Sequence, residues 1–409
     1  MGGIGEAVRF GPCRVSAAPE SSDIPLVETE SHLDDVVASL LEHDVYAVDT
    51  EFHRERTYFP KVALVQVLWP GGEPTLIDPL AVSLKPLAAV LEGPGTAVMH
   101  AAQQDLEVLD LAANAIPSAL FDTQIAAGFI GMSSPSLSAL HEKFLDKRLP
   151  KGDRLTDWLA RPLTSGQTTY AASDVADLLT IHRMISDDLN DRGRLGWAKQ
   201  ECENFRLRGR PSRDPEEAWL KIKDVRHLRG SSLAVAQAMA AWRERRAAEI
   251  DQPVRFVLPD LAVVALAQKK PATIEKLKSV RGLDDRHLKG GAKNMILEVI
   301  ADAKGREPVL LKAPARGNSL REMRPAVTLI SAWVSQLSKE LSIDPALLAS
   351  RNDIEAFVRG DEDARLSAGW RKDLAGDLVG RLMDGEAALA FNGRDGLVLE
   401  SRSHQPVDR

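Results

Sequence analysis

At 409 residues the chain exceeds what one typical core accommodates, and domains of roughly 100 to 200 residues make two or three the expected number. Its 44% hydrophobic and 27% charged residues are those of an ordinary globular protein, and no apolar run approaches the ~18 residues of a membrane helix, which excludes a membrane span. The net charge of -7 argues against a nucleic-acid partner only as a sum: residues 201–300 alone carry roughly +6, so the middle of the chain is basic.

Residues 1–24 have no apolar signal core and are rich in Gly, Ser, Pro and Ala, which reads as a loose tail. Cys13 and Cys202 make neither a disulfide framework nor a zinc site, so the expected compartment is reducing, hence the cytoplasm. From 25 to 205 short β-rich runs give way to helical ones, the pattern of an α/β domain with a mixed sheet. Strands are predicted at 45–52, 61–69, 74–78 and 96–101, with mostly helix after 101. Two prolines and several basic residues mark a linker at 206–218. Short helices follow over 219–304, a second linker over 305–319, and another helical set with a C-terminal tail over 320–409.

Within "VYAVDTEF", Asp49 and Glu51 alternate onto one side of a strand that emerges from an apolar run. Carboxylates drawn into such a place require a partner or a cation, because desolvation penalises an unpaired charge. Asp105 in "HAAQQDLEVL" stands at the start of a helix, where the dipole stabilises a carboxylate regardless of catalysis. Tyr170 and Asp174 in "YAASDVADLL" are one helical turn apart and share a face. Each feature alone is common. Together, in this order, they outline four carboxylates converging on one place, which calls for hard divalent cations with oxygen ligands. A pair of such ions suits in-line attack on a phosphodiester.

The constellation resembles the tyrosine-bearing branch of the DEDD 3'-5' exonuclease superfamily, and within it the ribonuclease D family. "VDTEF", "HAAQQDLEVL" and "YAASDVADLL" match the three exonuclease motifs, "KGDRLTDWLARPLTSGQTTYAASDV" is similar to the stretch that leads into the third, and the helical run from Trp219 to Leu283 is similar to an HRDC domain. The resemblance implies an RNase H-like sheet flanked by helices, followed by all-α HRDC-type modules, the last of them divergent. It implies two ions, Mg2+ or Mn2+: Asp49, Glu51 and Asp174 on the first, Asp49 bridging to the second, and Asp105 holding that second ion. Tyr170 would orient the attacking water, since a phenol of pKa ~10 is a poor base. The implied substrate is the 3' end of structured RNA such as tRNA precursors; the sequence leaves the oligomeric state open, with a monomer favoured.

Asp122 reads as a helix N-cap, and His100 as a structural histidine at a strand end. Phe52 alternates into the core unless the strand bends, in which case it faces the terminal base. Lys151, Asp157, Trp158 and Arg161 are candidates to line the substrate path, Trp158 either stacking on a base or packing inside. Arg206, Arg208, Arg210 and Arg213, with Arg243, Arg245, Arg246, Lys269 and Lys270, are candidates for phosphate contacts. A DNA exonuclease of the same chemistry and a non-catalytic nucleic-acid binder are the alternatives; the HRDC-like stretch weighs against the first, and the presence of all four acids against the second.

Overall fold

The structure is a computed structural model that describes residues 24–149, 156–208, 214–310, 323–394 and 396–403. Its first part is a six-stranded mixed sheet of β1 (Leu26–Val27), β2 (Val45–His53), β3 (Lys61–Leu68), β4 (Thr75–Ile77), β5 (Thr96–Met99) and β6 (Ala119–Asp122), in the order β1-β4-β3-β2-β5-β6. β2 lies in the middle, antiparallel to β3 and parallel to β5. Two strands escape the sequence reading. β1 has two residues, and the buried run at 119–122 is too short for periodicity to distinguish it from the start of a helix.

Helices cover both faces. On one lie α1 (Glu30–Leu41), α2 (Leu87–Leu91) and α3 (Gln103–Ala113). α1 starts where the Thr29 hydroxyl accepts from the His32 amide, and it buries Leu33, Val36, Val37 and Leu40, the apolar stripe of an amphipathic helix. These pack on Tyr46 and Val48 of β2 and Val65 and Val67 of β3. The opposite face, carrying Ala47 and Leu68, is covered by α4 (Thr123–Gly128), α5 (Leu137–Leu145), α6 (Ser165–Ala176), α7 (Leu178–Asp191) and α8 (Leu195–Arg208).

A second body begins with two 3-10 turns, Pro215–Lys221 and Lys223–His227, that pack on α9 (Gly230–Glu249). With α10 (Val254–Val257), α11 (Asp260–Lys269), α12 (Ile274–Lys278) and α13 (Ala292–Ala303) they enclose a separate core around Trp219, Met239, Leu266 and Ile296.

The last part comprises α14 (Arg324–Leu341), α15 (Pro345–Leu348), α16 (Arg351–Arg359), α17 (Gly369–Arg371) and α18 (Asp377–Met383), then a hairpin of β7 (Ala387–Phe391) and β8 (Leu397–Ser401). This part is therefore not purely helical, contrary to the expectation from its sequence. "ALAFNGRDGLVLES" carries the signal: Asn-Gly between two β-prone runs favours a hairpin turn. Val327, Ile330, Trp333 and Val379 of this part share one core with Phe129, Leu178 and Ile181 of the sheet domain. No helix among the described residues is long and apolar enough to cross a membrane.

Candidate active site

Alternation along β2 puts Asp49 and Glu51 on the sheet face that α6 covers, and Thr50 on the other. α6 begins at a capping box in which the Thr164 hydroxyl accepts from the Gln167 amide and the Gln167 carboxamide oxygen accepts from the Thr164 amide. Ala171, Ala172 and Val175 press inward, which sets Asp174 over β2. Carboxylate oxygens of Asp49, Glu51 and Asp174 lie within 4.8 Å of one another. At that separation each pair of charges repels by about 3 to 4 kcal/mol at an effective dielectric of ~20. Burial, and then the charges of Asp105, Asp174 and Glu51, push the Asp49 carboxyl well above the usual carboxylate range. A hard divalent cation relieves that repulsion, and three half-buried carboxylates within reach of one point are a donor set that fits it.

Asp105 is buried in the first turn of α3, beside this trio rather than in it. The Thr50 hydroxyl donates to its Oδ1 at 2.5 Å. Burial raises the Asp105 carboxyl to about 6, against the lowering effect of Thr50 and with a further push from Asp122. Asp122 caps α4 by accepting from the Gln124 and Ile125 amides at 2.8 and 3.2 Å, as an N-cap should. It also accepts from the Ala102 and Ala101 amides at 2.9 and 3.3 Å. Ala101 adopts φ 57°, a left-handed conformation costly for a residue with a Cβ, so Asp122 holds the turn that launches the helix of Asp105. His100 is structural, with Nδ1 2.9 Å from the Thr123 hydroxyl. That hydroxyl also donates to the Met99 carbonyl, which ties His100 to the end of β5.

The strand bends next to Glu51. Register runs Glu51 to Leu64 and then Phe52 to Val62, leaving Ala63 of β3 without a cross-strand partner, which is a β-bulge. Phe52 accordingly stands half-buried outside the apolar cores, and the regular-strand expectation that it sits in the core does not hold. Arg161 braces the bulge. Its Nη2 donates to the Ala63 carbonyl at 2.7 Å and to Asp78 Oδ1 at 2.7 Å, its Nε to Asp78 Oδ2 at 2.5 Å, and its Nη1 to the Trp158 and Ala160 carbonyls at 2.9 Å. A guanidinium has five N–H donors and all five are engaged, so none remains for a phosphate. Burial would raise the Asp78 carboxyl, but Arg161 and the Leu80 amide hold it below its ordinary value.

Trp158 likewise belongs to the interior. It is 5% exposed, and its ring lies 5.9 Å from that of Tyr170 at 38°, in a small core with Leu64 and Leu76. It packs behind Tyr170 and offers no face to a base. Asp157 caps its own loop by accepting from the Leu159 amide.

Arg206 and Arg208 stand at the wrong end of the sheet for the site. Arg206 pairs with Glu203, reaches the Pro117 carbonyl, and lines a cavity of about 430 Å³ with Glu92, Ile116 and Ser118. Those residues precede β5 and β6, whereas Asp49 and Glu51 lie further along β2 than Val45, the partner of Thr96, about 13 to 20 Å away at ~3.3 Å per residue. Arg208 donates to the Asn204 carbonyl on the same helix. Lys151, Arg210 and Arg213 lie outside the described residues. In the second body, Arg243 is buried against Asp260 and is structural, whereas Arg245 pairs with Glu216, Arg246 with Glu249 and Lys270 bonds Ser231 at the surface.

Besides Thr50 and the strut of Arg161 and Asp78, the sequence reading misses Gln66. It faces Asp49 directly across the strands and is wholly buried, and its carboxamide has no partner among the described residues. A polar residue in the apolar run "VALVQVL" is the signal that marks it.

Comparison with known proteins agrees with this geometry. The 3'-5' exonuclease family matches residues 24–190 and the HRDC domain residues 232–300. The chain is 34% identical over 386 residues to ribonuclease D of Acidiphilium cryptum, spanning 92% of this chain and 97% of that one. It is 33% identical over 364 residues to ribonuclease D of Escherichia coli, covering 86% and 96%. The crystal structure of Escherichia coli RNase D, described as an exoribonuclease involved in structured RNA processing, superposes with a TM-score of 0.79 at 30% identity, over 88% of this chain and 99% of that one. The catalytic core of RRP6 from Trypanosoma brucei is similar at a TM-score of 0.53 and 26% identity, over 69% and 81%.

Proposed function

The chain belongs to the ribonuclease D family, and on that premise we propose that this 3'-5' exoribonuclease works through Asp49, Glu51, Asp105, Tyr170 and Asp174 on the 3' ends of structured RNA, tRNA precursors among them. The observation that carries the reading is the convergence of three carboxylates over one strand, with the fourth tethered beside them. Asp49, Glu51 and Asp174 would hold one divalent ion, and Asp105 with Asp49 a second, Mg2+ or Mn2+ in each place. Such ions, when bound, acidify the attacking water and neutralise charge on the scissile phosphate.

The chain's own groups do the rest. Thr50 fixes the rotamer of Asp105 through its hydroxyl, and Asp122 fixes the turn before it. Tyr170, its ring braced by Trp158, orients the attacking water by hydrogen bonding. Phe52, turned at the bulge, stands next to Glu51 where it can wedge against the terminal base. All of these residues come from one chain, so a monomer suffices, and we place its work in the cytoplasm.

Replacing Asp49 or Asp174 by Asn tests this. Hydrolysis of RNA falls by about a thousandfold or more, because each change removes a charge from the metal set. RNA affinity measured with Ca2+ in place of the active metal stays within a few-fold. Wild-type turnover in either variant contradicts the assignment.

A further inference from the structure

The catalytic strand does not end in solvent. Beyond His53 the chain runs through Arg54, Glu55, Arg56, Thr57, Tyr58 and Phe59 against the second body before it enters β3, and the contact is specific. The Tyr58 and Phe59 amides both donate to Asp251 Oδ1, at 3.1 and 3.2 Å, and the Tyr58 hydroxyl donates to Glu244 at 2.9 Å. Lys61 lies 3.9 Å from the other Asp251 oxygen, and the Tyr58 ring packs on the core of the helical body. Asp251 and Glu244, the carboxylates nearest the seam, are thereby occupied in docking.

What the seam leaves outside is aromatic and basic. Phe59 is 37% exposed and Phe256, five residues beyond Asp251, is 49% exposed. The Arg255 guanidinium sits 5.3 Å over the Phe256 ring. Arg56 and Arg255 are exposed and have no ion-pair partner among the described residues, in contrast to the paired Arg243, Arg245 and Arg246; Glu55 is the exposed acid of the loop. Eight residues of chain separate Phe59 from Glu51, which places it at most about 29 Å from the carboxylates, within the length of a bound strand.

We propose that Phe59, Phe256 and Arg255, with Arg56, form a stacking subsite for the single-stranded RNA that lies 5' of the scissile nucleotide. Exposed rings accept any base on their faces, and unpaired guanidinium groups beside them meet the phosphates, the combination that sequence-tolerant single-strand binding requires. The subsite rests on the exonuclease reading for its direction, because the strand must lead from the seam to the carboxylates.

The test is a length series. Fluorescent single-stranded RNAs from a dinucleotide to a dodecamer are titrated with the full chain in Ca2+, so that binding is read without turnover, and the same series is then hydrolysed with Mg2+. Phe256→Ala weakens binding of the longer RNAs by about 5- to 150-fold, the range of one lost base stack, and leaves the dinucleotide within twofold. Phe256→Trp restores the affinity, and Arg255→Gln gives the same length dependence with a shallower salt slope. In hydrolysis the loss falls on KM for long RNAs, with kcat retained. A loss of equal size at every length, or none at any length, overturns the subsite. Absence of hydrolysis by the wild-type chain contradicts the exonuclease reading instead, and leaves the binding series to judge the subsite.

Discussion

The two parts that follow the sheet domain share an order of elements though little sequence identity, each a set of helices behind a linker, yet they are attached in opposite ways. The first, from Pro215 to Ala303, has its own apolar core and meets the sheet domain at a polar seam centred on Asp251, Tyr58 and Glu244. The second, from Arg324 onward, has no separate core among the described residues: its apolar residues merge with those over the sheet. Its Trp370 stacks on Trp197 at 5.5 Å and meets Phe129 edge-on at 5.1 Å. Its Arg371 and Arg365 reach Glu201 of α8, which is 4% exposed. Linkers in a sequence mark where the chain runs over the surface. They do not say whether the next segment is a neighbour or a missing half of the previous core.

The largest effect that can break this comparison is truncation. Removing residues 324–409 uncovers Phe129, Trp197 and the inner stripe of α7, and we expect the remaining chain to lose its cooperative melting transition. Residues 214–310 made alone are expected to keep one, because their core is complete. A truncated chain that melts within a few degrees of the full one breaks the contrast.

Next in size is Arg371→Met, which leaves the buried Glu201 with Arg365 as the remaining one of its two cations and costs about 3 kcal/mol in chemical denaturation. Glu201 also predicts a pH dependence. Burial pushes its carboxyl up, but Arg371, Arg365 and Trp370 more than offset this and hold it below the ordinary value. A depressed carboxylate stabilises the fold in full above its unfolded pKa of about 4.3, and that contribution is lost as pH falls through the folded value. Denaturation midpoints followed from neutral to acid pH therefore drop less steeply in Glu201→Gln than in the wild-type chain.

Smallest is Asp251→Asn at the seam. It weakens two amide hydrogen bonds and an exposed ion pair, about 1 to 2 kcal/mol in all, and is expected to speed proteolysis within 54–60 with little change in global melting. A large fall in global stability would make the two attachments alike.

How much of this the sequence discloses depends on how local the cause is. Asp49 and Glu51 are legible because strand alternation fixes their common face, and Asp174 because a helical turn fixes its face with Tyr170. β2 and β3 are legible as long β-prone runs, whereas β6 is not, being four residues that only the neighbouring strand defines. Residues flanking the third motif are misread for one reason: they support the site from behind, Arg161 on the bulge carbonyl and Trp158 under Tyr170, and a sequence does not show depth. Arg206 and Arg208 are misplaced because proximity to a linker says nothing about which end of the sheet a helix reaches. The merging of the last part with the sheet core is a long-range packing outcome with no local sign.

The most direct test of the central claim is hydrolysis of a 5'-labelled RNA with an unpaired 3' end, in Mg2+, Mn2+ or EDTA. A ladder that shortens from the 3' end by single nucleotides is expected with either metal, and an intact band in EDTA or with Asp49→Asn. Internal cleavage, or a ladder that persists in EDTA, would contradict it.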